Sequence, residues 1–448
     1  MKKKLFSLFL AFAVLCGSGL CLPAGAAVYN IDFETTAKAI QLVNMDTDTV
    51  VYQKDADKKM EPASTTKIMT YIVTVENIKD LDGTIITVTQ RVVDELLGTG
   101  SSLAGVMAGE ELTVMQLLNC MMVPSGNDAA LVLADYIGGG DSQKFVDMMN
   151  EKAKELGCKN THFMNPHGLH DDNHYTTAED LCIMTKYALG LPYFSEITSK
   201  TYYEIPPTNT SPQARKIYTT NMLITQNSGG NYYYKYCKGI KTGSHDQAGY
   251  CLVSTAMKDG YSYLCVTLGA PSVDAEGKRV QTNGSFVDTK ALYEWAFDSL
   301  RLKTVLHQEE SVGQVKLDLA WNQDKLLLVP EKDYSTILPK DVSETSVIIT
   351  PHLPESVEAP VKKGQIIGTA TLSYANQTLT EINLVASESV ERSELLHSAN
   401  TVKEIFSSTW FLIVAAVIVL LVVIYIILAI IYNRKKKNLR KVKKYRKM

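Results

Sequence analysis

The chain has 448 residues, 46% of them hydrophobic and 21% charged, with a formal net charge of −3. Length and apolar content exclude a disordered chain and a single small domain, and predict two or three units with real cores. Bases are concentrated at the two ends, Lys2–Lys4 and Arg434–Lys447, which leaves 32 bases against 48 acids in between and excludes nucleic-acid binding by the main body.

Residues 1–26 read as a secretory signal peptide. Three lysines precede the apolar run Leu5–Leu15, and Ala24-Gly25-Ala26 offers small residues for cleavage. An uncleaved anchor is the alternative, but the run is short and broken by Gly17 and Gly19. Cys16 and Cys21 each follow a leucine, where a lipoprotein signal needs a small residue. Ala39–Lys54 alternates and turns at Asp46-Thr47-Asp48, which predicts a β-hairpin. The apolar run Ile68–Val75 predicts a buried helix. Leu112–Met122, Ala129–Ile137, Gln143–Leu156 (closed by Gly157) and Thr177–Leu189 predict four more. Gly249–Ala256 and Tyr261–Leu268 read as strands joined through Lys258-Asp259-Gly260, and Asp288–Leu300 returns to helix. Residues 27–300 thus form one mixed unit.

From about residue 304 the texture changes. Lys316–Leu319, Ser346–Thr350, Gln365–Tyr374 and Thr378–Val385 are short alternating runs separated by prolines, which predicts a small all-β domain over 301–390. Residues 391–409 read as a polar, weakly amphipathic juxtamembrane stalk. Trp410–Tyr432 is 23 residues without a charge, enough to cross a hydrocarbon core of roughly 30 Å, with an aromatic ring at each end. The basic tail 433–448 is then expected in the cytoplasm and the bulk of the chain outside the cell membrane. Six cysteines lie beyond the signal, an even number that permits bridges outside the cell. Cys251 and Cys265 sit in apolar strand-like runs, as buried thiols do, so no structural dependence on disulfides is expected.

Three short motifs carry the chemistry. Ser64-Thr65-Thr66-Lys67 opens a helix and puts a serine and a lysine on one face, three residues apart. A serine needs an adjacent base to become a nucleophile, and a lysine can be that base once burial and a neighbouring cation lower its pKa. Taken alone, the pattern is far more often that of a capping serine and a surface lysine. Ser125-Gly126-Asn127 falls between two helical runs and reads either as a plain turn or as a hydroxyl and an amide aimed at Lys67 or substrate. Lys241-Thr242-Gly243, followed by Ser244, lies on a strand. It offers a cation and a hydroxyl for a carboxylate, with a glycine that lets an extended substrate approach.

In this order the motifs resemble the serine-type D-Ala-D-Ala carboxypeptidases, the low-molecular-weight penicillin-binding proteins, whose signature is Ser-x-x-Lys, a Ser-Asp-Asn-like triplet and Lys-Thr-Gly. The likeness extends to Pro62–Thr70, Val123–Ala130, Asn165-Pro166-His167-Gly168-Leu169 and Gly239–Gly243. It implies an α+β fold: a penicillin-binding/β-lactamase-like catalytic domain of antiparallel sheet and helical cluster, then a small all-β domain and one C-terminal transmembrane helix. It further implies an acyl-enzyme on Ser64 that releases the terminal D-Ala of a peptidoglycan stem pentapeptide. Lys67 would take the Ser64 proton and Ser125 would pass a proton to the leaving amine. Asn127 would orient Lys67 and the substrate amide, while Lys241 and Thr242 would hold the terminal carboxylate beside Gly243. The backbone N–H groups of Ser64 and Ser244 would form the oxyanion hole. Neither metal nor cofactor is implied, and β-lactam antibiotics are the expected covalent inhibitors.

One departure is visible: members often carry an arginine shortly after the Lys-Thr-Gly hairpin, whereas Gly284-Ser285-Phe286 here precedes the final helix and the bases ahead of it are Lys278 and Arg279. Two rival readings are a β-lactamase and a non-catalytic wall-binding protein. Intact Ser64, Lys67, Ser125 and Lys241 oppose the second. The first lacks the Glu-x-x-Leu-Asn of class A β-lactamases between Asp128 and Ile240. His162, His167, His170 and His174 match no familiar zinc spacing and read as loop and structural residues. Tyr232–Tyr234 and Tyr236 read as packing beside the active-site strand.

Overall fold

A computed structural model describes residues 29–445 apart from 275 and 376, so the signal peptide expected over 1–26 and the last three residues lie outside the described part. The described chain divides into two compact units. The first runs to Val305 and also takes in Tyr334–Ile348 and Thr371–Glu381; the second comprises Leu306–Asp333, Ile349–Ala370 and the chain from Ile382.

In the first unit the predicted hairpin forms as β1 (Ala39–Asn44) and β2 (Thr49–Lys54). Later in the chain β3 (Cys237–His245), β4 (Gly249–Lys258) and β5 (Tyr261–Ala270) complete a five-stranded sheet ordered β2-β1-β5-β4-β3. Neighbouring strands are antiparallel throughout. The hairpin from the start of the unit therefore pairs with β5 from its end, and the Lys-Thr-Gly strand β3 forms an edge.

The helices lie between these strands in sequence. They are α1 (Lys67–Asn77), α2 (Val114–Met122), α3 (Asn127–Ile137), α4 (Ser142–Glu155) and α5 (Ala178–Leu189), and α6 (Gly284–Ser299) follows the sheet. Each predicted helix exists, with ends set by local caps. Thr113 and Gln116 close a capping box at the start of α2, and Thr177 accepts from the Asp180 N–H at the start of α5. α1 is buried from Lys67 through Val75, so it runs through the unit's core rather than across its surface. Its Tyr71 packs edge-on against Phe194 at 4.9 Å, and the phenol donates to the Pro192 carbonyl.

The tyrosine run packs as expected. Tyr234 stacks on Tyr293 and Tyr236 meets Phe297, both from α6, on the approach to β3. All six cysteines of the described residues are free thiols.

The second unit has its own small core of Val315, Leu317, Leu326, Leu328, Val361, Ala370 and Leu384. Gly313–Asp318 pairs with Lys325–Pro330 in antiparallel fashion and with Ser356–Glu358 in parallel. Across the two units, strands Leu300–Leu306, Lys325–Pro330 and Tyr334–Pro339 lie outside the alternating runs that the sequence marks, whereas those over 316–318, 366–374 and 377–386 coincide with them. The stretch expected as a stalk is largely helical over Glu394–Ser407. It is followed by a helix over Thr409–Tyr445, whose Thr409–Lys435 portion holds an 18-residue stretch of mean hydropathy 3.5, long and apolar enough to cross a membrane.

The entry of the chain into β1 depends on one carboxylate. Asp288 of α6, almost fully buried, accepts from the N–H groups of Thr36 and Ala37 at 2.8 and 2.7 Å and from the Thr36 hydroxyl at 3.1 Å. Asp288→Ala leaves these donors without a partner. Urea unfolding should show a loss of about 1–3 kcal/mol; an unchanged midpoint would exclude this anchor.

Candidate active site

The chain reaches the site through a tight turn. Ala63–Thr66 is a single 3-10 turn, with Ala63 at φ +47° and the hydroxyls of Thr65 and Thr66 folded back onto the carbonyls of Pro62 and Ala63. This buries Ala63, Thr65 and Thr66 and leaves Ser64 half-buried and facing outward. Lys67 begins α1 one turn later and is fully buried.

The Lys67 amine has three polar neighbours: Ser64 Oγ at 2.9 Å, Asn127 Oδ1 at 2.5 Å and the His167 carbonyl at 2.8 Å. Burial is the largest cause pushing its pKa well below the ordinary lysine value. The Lys241 charge adds to the fall and Asp128 opposes it. A neutral amine has two N–H groups and one lone pair. Amide and peptide oxygens only accept, so Asn127 and His167 take both N–H groups. In that neutral form the lone pair is left for the Ser64 O–H, whereas a charged amine donates to Ser64 Oγ.

Each partner of Lys67 is fixed in turn. Ser125 sits at φ +67° between α2 and α3, both it and Asn127 are buried, and the Asn127 N–H donates to the Ser102 carbonyl at 2.8 Å. Next in line, Asp128 accepts from the N–H groups of Ala104, Gly105 and Val106 at 2.9–3.1 Å, and so ties that loop to the start of α3. On the other side Asn165 Oδ1 accepts from the Gly168 N–H at 2.7 Å, and Thr70 donates to the Pro166 carbonyl. Gly168, at φ +90°, admits no side chain, since a Cβ would lie 1.9 Å from the Ala63 carbonyl oxygen.

β3 closes the opposite wall. Lys241 is buried and donates to the Thr242 carbonyl at 2.9 Å, and desolvation pulls its pKa down to about 7. The Thr242 hydroxyl meets that of Thr220. A Cβ on Gly243 would lie 2.9 Å from the Pro62 carbonyl oxygen and 3.0 Å from Ser64 N, so a glycine here lets the strand press against the serine turn. Ser244 follows, exposed at the strand's free edge.

The structure thus brings together Ser64, Lys67 and Asn127 by direct contact, with Lys241 near enough to act on the Lys67 charge and Gly243 against Ser64. Lys278 and Arg279 are exposed in the loop before α6. Motif reading did not find the His167 carbonyl, the close approach of Gly168 or the loop held by Asp128. The residue strings Asn165–Leu169 and Asp128 carried the only signal.

The histidines divide by environment. His174 Nδ1 accepts from the Met164 N–H at 2.9 Å, so the neutral ring carries its proton on Nε2 and donates to Thr66 Oγ1 at 2.8 Å. Thr66 in turn donates to the Ala63 carbonyl, which links the ring to the serine turn. Burial lowers the His174 pKa to about 3; His167 also falls to about 3, by burial first and then by the Lys67 charge.

Comparison with known proteins places these features in a family. Residues 26–272 match the model for D-alanyl-D-alanine carboxypeptidases, and residues 301–392 match that for the C-terminal domain of penicillin-binding protein 5. The chain is 31% identical over 357 residues to the D-alanyl-D-alanine carboxypeptidase DacF of Bacillus subtilis, covering 80% of this chain and 86% of that protein. It is 29% identical over 386 residues to DacD of Escherichia coli, covering 82% and 92%. The structure of penicillin binding protein 5 from Haemophilus influenzae superposes with a TM-score of 0.64 at 25% identity, over 81% of this chain and 100% of that one.

The buried histidines generate a pH prediction. Folded values near 3 lie below the ordinary 6.5 of an unfolded chain, so the native state binds fewer protons across that window and loses stability as pH falls through it. Urea midpoints followed downward from pH 7 should drop, and His174→Gln should make the drop shallower. A pH dependence identical in the variant would show that His174 is not held neutral.

Proposed function

The chain belongs to the D-alanyl-D-alanine carboxypeptidase family, and we propose that it removes the terminal D-Ala of peptidoglycan stem pentapeptides through an ester on Ser64. The observation that carries this reading is the fully buried Lys67 amine 2.9 Å from Ser64 Oγ, with its two other neighbours both acceptors. The Ser64 O–H donates to the Lys67 lone pair, and the oxygen attacks the carbonyl of the penultimate D-Ala. The proton moves to Nζ as the C–O bond forms. Removing that acceptor costs typically 10²–10⁴-fold.

Charge on the tetrahedral oxygen is met by the N–H groups of Ser64 and Ser244, donors that are fixed before the reaction begins. Collapse expels the D-Ala amine, which takes its proton by way of Ser125. Water then attacks the ester, with Lys67 again the nearest base, and returns Ser64. The free edge of β3 supports an extended peptide lying alongside Gly243. Lys241 and Thr242 hold the substrate carboxylate. An incoming carboxylate favours the charged form of a lysine whose pKa rests at about 7 in the empty site. A penicillin acylates the same serine, because its strained amide presents a carbonyl and a carboxylate in the same relation.

The anchor extends the reading. The apolar helix Thr409–Lys435 crosses the cell membrane, the chain before it lies outside, and the basic tail stays in the cytoplasm.

Two outcomes test this. Ser64→Ala should lose covalent labelling by a fluorescent penicillin, and Lys67→Ala should slow labelling by roughly 10²–10⁴-fold; label retained on the Ser64→Ala protein would exclude this nucleophile. Truncation after Ser407 should release a soluble, active enzyme. Protease added to intact cells should remove the outer part and spare the tail, and a tail epitope accessible from outside would contradict the topology.

A further inference from the structure

Glu61 lies three residues before the nucleophile and belongs to none of the three motifs. Its Oε2 atom accepts from His170 Nδ1 at 2.8 Å and lies 3.4 Å from His245 Nε2. The two imidazole rings are 6.0 Å apart, one on each side of the same carboxylate oxygen. His245 Nδ1 lies 3.1 Å from the Ala248 N–H and 3.2 Å from the Gln247 side-chain oxygen, and the tautomer that accepts from Ala248 turns its Nε2–H toward Glu61.

The three residues come from the three segments that frame Ser64. Glu61 enters the serine turn, and backbone hydrogen bonds between Met60 and Thr176 fix the chain just before it. His170 ends the loop that supplies the His167 carbonyl to Lys67 and the Gly168 approach to Ala63. His245 follows Ser244 at the end of β3. Other charged groups around the pair, Asp171 and Asp172 beside His170 and Asp246 beside His245, are near neighbours in sequence and connect no further segment.

We propose that Glu61 is a positioning residue for Ser64 acylation, clamping His170 and His245 so that the loop and the strand edge hold the nucleophile and its oxyanion donors in register. The proposal rests on the assignment of Ser64 and Ser244 made above. Glu61 touches no reacting atom. Its effect is geometric, and displacement of reacting groups by about 1 Å costs on the order of 10²-fold in rate. Donors and a nucleophile that act in the transition state are what the clamp aligns, so its loss falls on kcat rather than KM.

The test uses the full-length enzyme and measures D-Ala release from a D-Ala-D-Ala pentapeptide, alongside penicillin acylation. Glu61→Ala should lower kcat by about 10- to 100-fold with KM little changed, and Glu61→Gln, which keeps an acceptor oxygen, should recover most of it. His170→Ala removes a partly exposed ring outside the buried core and should reproduce part of the loss in a protein that folds normally. Wild-type kcat in Glu61→Ala or in His170→Ala would overturn the proposal, as would a loss confined to KM or equal losses in the Ala and Gln variants at Glu61. Wild-type release of D-Ala reports on the activity itself, so failure of the carboxypeptidase reading is distinguishable from failure of the clamp.

Discussion

A primary amine with no access to water dominates this molecule. Bringing a charged lysine into the core is expensive unless it is paired, and no carboxylate bonds Lys67. Burial pushes its pKa well below the ordinary lysine value, and the amine that has given up its charge, as we propose, spends both N–H groups on oxygens from separate segments, Asn127 and His167. Those contacts decide how α3 and the 165–169 loop must sit. What remains on nitrogen is one lone pair, aimed at one hydroxyl. Stability of the core and reactivity of the serine thus come from the same desolvation.

Holding that arrangement requires backbone shapes that most sequences avoid. Ala63 and Ser125 adopt positive φ beside the site, Gly168 lies against Ala63, and Gly243 lies against Ser64. Such conformations cost on the order of 1–3 kcal/mol each for a residue with a side chain and persist only where the surroundings impose them. Here the surroundings are buried polar contacts: Asp128 on three loop N–H groups, Asn165 on Gly168, and His174 through Thr66 to the Ala63 carbonyl. The strain collects where a serine must face outward from the start of a buried helix.

Residue types told much of this in advance. The i, i+3 spacing of Ser64 and Lys67 implied a shared helical face, and amphipathic or apolar runs located α1 to α6 to within a few residues. The two hairpins were marked by alternation and by turn residues at Asp46–Asp48 and Lys258–Gly260. Contacts made by peptide groups left no such trace. Any residue could present the carbonyl that His167 presents to Lys67, and Gly168 looked like an ordinary loop glycine until its distance to Ala63 was known. Strand Lys325–Pro330 escaped because Leu326–Val329 is a continuous apolar run with no alternation, and Leu300–Leu306 because it follows α6 without a break. Glu61 escaped for a different reason, since its partners stand 109 and 184 positions away and only folding brings them to one oxygen.

The central claim is that Lys67 is neutral when the enzyme works, and the pH dependence of Ser64 acylation reads that state directly. Acylation by a penicillin at saturating concentration, followed from pH 5 to pH 11 with the full-length enzyme, should reach its plateau well below the ordinary lysine value of about 10.4. A rate that climbs only as pH approaches that value would mean that Lys67 keeps its proton in the folded enzyme, and would contradict the account.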